Sequence, residues 1–254
     1  MTGPRILLLD IETAPNTAHV WGLWQQNVGT NQILASGYVM CWAAKWLGEK
    51  KVAFARVSYD EKGDVAGETE MLAPIWQMLD EADIVVHYNG TSFDIPTLQK
   101  EFLLHGLGKP SPYRQVDLLR VVRKEFRFPS KKLDYVAKQL GLGGKVKHAG
   151  HGLWVACMAN DVQAWRTMAR YNRKDVTLLE DLYVKLLPWI QNHPNHGMWT
   201  DGACCTNCGS KAVQARGVQR TQLQTYARIF CTACGAWMRT NTKQAEPVVL
   251  RGVS

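Results

Sequence analysis

The sequence has no apolar run approaching the ~18 residues needed to cross a bilayer, which excludes an obvious transmembrane helix. It opens with no basic segment followed by an apolar stretch and a small-residue cleavage site, so no secretory signal is expected. The expectation is a soluble, cytoplasmic chain. Internal repeats and low-complexity tracts are absent, which argues against a solenoid or a fibrous protein. Cysteine is scarce outside one short segment. Of seven cysteines, only Cys41 and Cys157 lie elsewhere, and their apolar neighbours suit small buried hydrophobes. Acidic residues are outnumbered, 22 against 30 Lys and Arg, giving a net charge of +8. A pI near 9.1 favours a polyanionic partner.

What is present is an ordinary core-forming composition, 46% hydrophobic over 254 residues. That length allows one large domain, or one domain with a small appendage. The basic excess is uneven. Gly197 to Ser254 holds seven Lys/Arg against two acids, a balance of +5, and the first 196 residues hold the other +3. A second basic stretch, Arg114 to Lys132, has seven basic residues and two acids. It suits a solvated helix face or a contact with a polyanion.

Hydrophobic patterning predicts a buried strand over Arg5 to Asp10. A hairpin follows, from Ser36–Leu47 and Lys51–Tyr59. Met71, Leu72, Ile75, Trp76 and Leu79 recur at helical spacing. The stretch "DIVVHYN" reads as a second short buried strand. Helices are expected after Asp94, near Leu118 to Phe126, over Lys132 to Leu140, and from about Asp161 to Leu187. Gly143 to Gly152 reads as a flexible basic loop. The order implies an α/β domain over 1–190, a mixed sheet flanked by helices. A linker at 191–198, a small module at 199–242 and a tail at 243–254 complete the chain.

The first strand runs into two acids, Asp10 and Glu12. Residues two apart on a strand share a face, so both project together. The second strand also leads through a turn into an acid, Asp94. If the two strands are neighbours, Asp94 approaches Asp10. Tyr171 and Asp175, four apart on a helix, share one face. Two carboxylates at ~4 Å repel by roughly 4 kcal/mol at an effective dielectric of about 20, so such a cluster needs a cation. Oxygen ligands suit Mg²⁺ or Mn²⁺. Each feature alone has a bland reading: a surface acid pair, a helix N-cap at Asp94, a buried tyrosine beside a solvated aspartate.

Taken together, "LLLDIETAP", "HYNGTSFDIPTL" and "YNRKDVTLL" resemble the three motifs of the DEDD 3′→5′ exonucleases, which have the ribonuclease H-like fold. The middle motif, with Asn89, Phe93 and Asp94, resembles the form in proofreading domains of family B DNA polymerases. The third resembles the tyrosine subclass. The resemblance covers roughly Arg5 to Leu187. It implies that Asp10, Glu12, Asp94 and Asp175 hold two Mg²⁺ or Mn²⁺ ions, and that Tyr171 orients the attacking water. It implies that Asn89 and Phe93 meet the nucleic acid. The long loop from Thr13 to Ile33 carries Trp21 and Trp24, which could stack on bases or pack on the sheet.

In the tail, Cys205-x-x-Cys208 and Cys231-x-x-Cys234 are separated by 22 residues, and glycine follows each pair. This is the pattern of a structural zinc site and resembles zinc ribbons. Cys204 is a rival ligand, but only Cys205 gives the two-residue spacing. A redox C-x-x-C would need a βαβ context that this segment lacks. Gly217 to Cys231 is expected to form the ribbon's strands. Arg216, Arg220, Arg228, Arg239 and Lys243 are candidate phosphate contacts, and the module could also serve a protein partner.

The sequence therefore leads to a metal-dependent 3′→5′ exonuclease, with DNA favoured over RNA and one structural Zn²⁺. An exoribonuclease and a structure-specific endonuclease are alternatives within the class. A non-catalytic nucleic-acid-binding adaptor is the alternative outside it. No membrane association is expected.

Overall fold

The computed structural model describes residues 3–146 and 149–243. Lys147 and His148 of the basic loop, and the expected tail beyond Lys243, lie outside the described residues. The chain begins with β1 (Ile6–Thr13), the short pair β2 (Thr17–Ala18) and β3 (Ile33–Ala35), β4 (Val39–Trp46) and β5 (Ala53–Arg56). The pair β6 (Ser58–Tyr59) and β7 (Val65–Ala66) precedes α1 (Glu68–Asp80), β8 (Ile84–His87) and α2 (Asp94–Leu104). Then come β9 (Arg114–Asp117), α3 (Leu118–Glu125), α4 (Leu133–Gln139), α5 (His151–Met158) and α6 (Val162–Leu186). The last strands are β10 (Val213–Arg220), β11 (Thr225–Cys231) and β12 (Trp237–Lys243).

The expected mixed sheet is present, a ribonuclease H-like arrangement of five strands in the order β5-β4-β1-β8-β9. β4 lies antiparallel to β1 and β5, whereas β8 lies parallel to β1 and β9. The central strand β1 is covered on both sides, so its apolar residues run without alternation. Leu7, Leu9 and Ile11 join one core with α1, α2 and Trp165 of α6. Ile6 and Leu8 join the other, with α3, α4 and the C-terminal half of α6. The row Ile6-Leu8 continues into Asp10 and Glu12, and this alternation aims both acids at the same side as α6.

Helix α6 is capped by Asp161, whose Oδ1 accepts from the Ala164 amide at 2.6 Å. Its buried stripe recurs every three or four residues and includes Met168, Tyr171, Asn172, Asp175, Leu179 and Leu182. An ion pair from Lys45 to Glu180 fixes it against β4.

Four local readings change. β1 runs on to Thr13, so the acids lie within its last turn of pleat and not past its end. β9 is an edge strand beside β8 that its polar composition, Arg-Gln-Val-Asp, conceals. α5 occupies a stretch with no sequence periodicity. The cysteine-rich module has three strands: β10 starts before Gly217, and β12 follows the second cysteine pair.

The segment 191–198 is packed. His193 accepts or donates at 2.7 Å to the Tyr183 hydroxyl, and its ring stacks on His196 at 5.4 Å. The first knuckle is anchored by Asn207, whose Nδ2 donates to the carbonyls of Leu187 and Ile190 at 2.7 and 2.9 Å. Cys208, Cys234 and Trp199 pack on the second core.

Candidate metal centre and nucleic-acid interface

One carboxylate oxygen from each of Asp10, Glu12 and Asp175 lies within 4.8 Å of the others. Two come from the end of β1 and the third from the middle of α6. Asp94 sits beside this group at the first residue of α2. Its Oδ1 accepts from the Ile11 amide of β1 at 3.2 Å, which ties the start of α2 to the residue between the two acids.

All four acids have raised pKa values, burial being the first cause of each, and in Asp10 and Glu12 the neighbouring carboxylates add to the rise. Burial, then Glu12, Asp94 and Asp175, push Asp10 well above the usual carboxylate range. Burial pushes Glu12 up to about 8, with Lys145 opposing and Asp175 and Asp94 adding to the rise. Burial pushes Asp94 up to about 7, against its hydrogen bond from Ile11. Asp175 is also raised, burial being the main cause. Such a set holds protons near neutral pH unless cations replace them.

Asp175 Oδ1 is buried and has no hydrogen-bond partner among the described residues. A buried carboxylate oxygen without a partner, in a residue grouped with two further carboxylates, fits a hard divalent cation such as Mg²⁺ or Mn²⁺. Its other oxygen pairs with Lys145, whose Nζ also donates to the Tyr171 hydroxyl at 3.0 Å. Burial alone would lower the Lys145 pKa, but Asp175, Tyr171 and Asp10 raise it overall. Tyr171 is raised by burial, then by Asp175 and Glu12, and its ring meets Trp154 edge-on at 6.1 Å.

Two members of the site are absent from the sequence expectations. Asn172, fully buried on α6, donates from Nδ2 to Asp10 Oδ2 at 2.7 Å. Lys145 comes from the loop read as flexible. Its backbone amide donates to Asp134 Oδ1 at 2.7 Å, which directs the ammonium inward. The signal for Asn172 was only its adjacency to Tyr171, and Lys145 had none beyond the loop's basic charge.

The turn before Asp94 is built by close approach. Asn89 adopts φ 74° and its amide donates to Asp117 Oδ1 at 2.9 Å. A Cβ on Gly90 would meet the His87 ring at 2.4 Å, so only glycine fits. Phe93 is left 42% exposed at the start of α2. A cavity of about 540 Å³ adjoins Asp10 and is lined by Tyr88, Asn89, Arg123, Lys131, Lys132 and Lys145. Part of the basic stretch 114–132 therefore faces this cavity and not open solvent alone. Trp21 and Trp24 do not pack on the sheet: they are 96% and 88% exposed.

The four sulfurs of Cys205, Cys208, Cys231 and Cys234 also lie within 4.8 Å of one another. Cys205 Sγ is 3.6 Å from Cys234 Sγ, and Cys208 Sγ is 3.7 Å from Cys231 Sγ. A tetrahedron with Zn–S bonds of ~2.3 Å has edges of about 3.8 Å. The set fits zinc in a ribbon and is far too open for disulfides. Cys204 Sγ instead lies 3.2 Å from the Thr200 hydroxyl, outside the group. Arg216, Arg220, Arg228, Arg239 and Lys243 are exposed on the ribbon's strands.

The sequence model of the RNase_H superfamily matches residues 7–187. Among solved structures, the chain is similar to the family B DNA polymerase from the hyperthermophilic archaeon Pyrobaculum calidifontis. The TM-score is 0.52 and the identity 22%, over 73% of this chain and 25% of that one. The chain thus spans about a quarter of the polymerase it matches, and at this identity the likeness is one of fold. No curated protein matches the sequence significantly. No helix among the described residues is long and apolar enough to cross a membrane.

Proposed function

The chain belongs to the RNase_H superfamily, and from that premise we propose that it is a divalent-metal-dependent 3′→5′ exonuclease. It hydrolyses terminal phosphodiesters of DNA and releases nucleoside monophosphates. The observation that carries this reading is the acid cluster itself. Three carboxylates lie within 4.8 Å of one another, one has an orphaned buried oxygen, and Asp10 among them lines a cavity with three cationic side chains and Lys145.

Asp10, Glu12, Asp94 and Asp175 are the residues that hold two Mg²⁺ or Mn²⁺ ions. Such ions, when bound, lower the pKa of water and stabilise charge on the reacting phosphate. Tyr171 acts as a hydrogen-bonding partner for that water, since a phenol ordinarily near 10, raised further here by burial, keeps its proton at neutral pH. Asn172 holds the Asp10 carboxylate in place. Asn89, Phe93 and the exposed Trp21 and Trp24 are the contacts proposed for the terminal nucleotides, with Phe93 and the tryptophans offering stacking faces. Arg123, Lys131 and Lys132 neutralise the approaching backbone. The Cys₄ site holds one structural Zn²⁺ and leaves no position open for a reacting water. Its thiols stay reduced in the cytoplasm proposed for this chain. The ribbon assists substrate binding.

DNA is favoured because the "HYNGTSFDIPTL" segment resembles proofreading domains. The test is incubation of 5′-labelled single-stranded DNA, duplex DNA and RNA with the protein in Mg²⁺ or Mn²⁺. A ladder shortened one nucleotide at a time from the 3′ end of DNA is expected. Stronger degradation of RNA would move the substrate, internal cuts would make it an endonuclease, and silence on all three would overturn the enzymatic reading.

A further inference from the structure

The ribbon's outward face repeats one arrangement three times. The Arg216 guanidinium lies 4.5 Å above the Phe230 ring, Arg228 lies 4.9 Å from Trp237, and Arg239 lies 3.9 Å from Tyr226. The strand register makes this one surface. Phe230 pairs with Trp237 and Arg228 with Arg239 across β11 and β12. Residues two apart on β11, Tyr226, Arg228 and Phe230, share that face. The alternate residue Cys231 points toward the zinc knuckles. A bulge between Ala215 and Val218 brings Arg216 into the row, and Arg228 Nε donates to the Arg216 carbonyl at 3.0 Å. Gly217, at φ 75°, supplies the left-handed residue the bulge needs.

The chemistry of this face is one-sided. Residues 202–243 contain no aspartate or glutamate. None of the three arginines forms an ion pair among the described residues, and all three are exposed. A guanidinium stacked on a ring keeps its in-plane N–H donors free for a planar or tetrahedral anion. Trp237 remains 51% exposed, and its ring centre is 4.8 Å from that of Phe230. Cations without an internal anionic partner call for an external polyanion. Aromatic rings between them call for flat, unpaired groups spaced along it.

We propose that the outer face of the β10–β12 sheet is a binding platform for single-stranded nucleic acid. Bases stack on Trp237 and Phe230, and phosphates meet Arg216, Arg228 and Arg239. This deepens the reading of the ribbon as a substrate-binding module and rests on it, though not on catalysis. A duplex, whose bases are already stacked, could use the arginines and not the rings.

The test uses the full chain carrying Asp94→Asn to prevent hydrolysis, and follows fluorescence anisotropy of a labelled oligothymidylate and of a duplex. Loss of cleavage and loss of binding are then separate results. Trp237→Ala is expected to weaken single-strand binding roughly 5- to 150-fold, the span of one lost base stack. Trp237→Phe should restore most of that affinity, and duplex binding by Trp237→Ala should stay within about twofold. Arg228→Ala should lower the slope of log K against log salt by about 0.7 for the single strand. Zinc content, measured on each variant, certifies the ribbon's fold. Parental affinity in zinc-loaded Trp237→Ala, or an equal loss on duplex, would overturn the proposal. So would displacement of the strand by polyglutamate at matched charge, which would assign the face to an acidic protein. Should Trp237→Ala lose its zinc, the decision passes to Trp237→Phe and Arg228→Ala, and an unchanged salt slope would refute the platform.

Discussion

Asn172 ties helix α6 to strand β1 by donating to Asp10 twice, at 2.7 Å to the carboxylate and at 3.3 Å to the backbone carbonyl. It fixes an acid whose neighbours are three other acids. Asn172→Ala leaves a buried acceptor unpaired and should destabilise the protein by about 1–3 kcal/mol. Asn172→Asp adds a carboxylate to the cluster and should cost more without metal. Denaturant midpoints of the two variants check this, and an unchanged midpoint for both would remove Asn172 from the site.

Lys145 is the cluster's internal counter-charge, paired with Asp175 and bonded to Tyr171. It therefore competes with an incoming cation. Lys145→Met should lower metal-free stability by about 1–3 kcal/mol, because Asp175 loses its charged partner. The same variant should bind Mn²⁺ more tightly. Calorimetric titration showing weaker Mn²⁺ binding would mean that Lys145 organises the site and does not compete for it.

The raised carboxylates give stability a sign with pH. A carboxyl whose folded pKa lies above its unfolded value favours the folded state while protonated, and that contribution fades as pH rises. Asp94 titrates near 7 and Glu12 near 8 in the folded state, against ordinary values near 4. The metal-free protein should accordingly lose stability as pH rises from about 4 to about 8. Mn²⁺ should restore it most at the upper end, where ligation no longer has to expel protons. Thermal melts across this range, with and without Mn²⁺, provide the measurement. Stability of the metal-free form rising with pH over the same interval would contradict the clustering.

Zinc should matter beyond the ribbon. Cys208, Cys234 and Trp199 pack on the second core, and Asn207 binds the Leu187 and Ile190 carbonyls just after α6. Elemental analysis should find one zinc per chain. Cys205→Ser should lower the melting point of the whole chain by roughly 6–12 °C, equivalent to about 3 kcal/mol at this size. A ribbon melting alone, with the domain's transition unmoved, would show the two to be thermally independent.

Much of the site was legible because its chemistry is written at fixed spacings. Asp10 and Glu12 share a strand face by the two-residue period, and Tyr171 and Asp175 share a helix face by the four-residue period. The cysteine pairs announce themselves in the same way. What escaped had no period to betray it. Asn172 lies one position off the Tyr171–Asp175 row, yet the wide buried stripe of α6 includes it. Lys145 is placed by one amide hydrogen bond to Asp134, a tertiary contact. β9 carries a single buried valine before its aspartate and lies in a stretch noted only for its basic charge, because an edge strand need not be apolar. The histidines of the segment 191–198 carry no periodic signal, yet both are buried, His193 against Tyr183 and the two rings against each other.

The central claim is that the four carboxylates form the metal centre at which the phosphodiester is broken. The most direct measurement is single-turnover cleavage of a 5′-labelled single-stranded DNA by wild type and Asp94→Asn, at saturating Mn²⁺. Asn keeps the shape of Asp94 and its bond to Ile11 but removes its charge. The account predicts stepwise 3′ shortening by the wild type. It predicts a rate at least about 10³-fold lower for the variant, a barrier increase of about 4 kcal/mol, with an unchanged melting point or a higher one. Equal rates from the two folded proteins would contradict it.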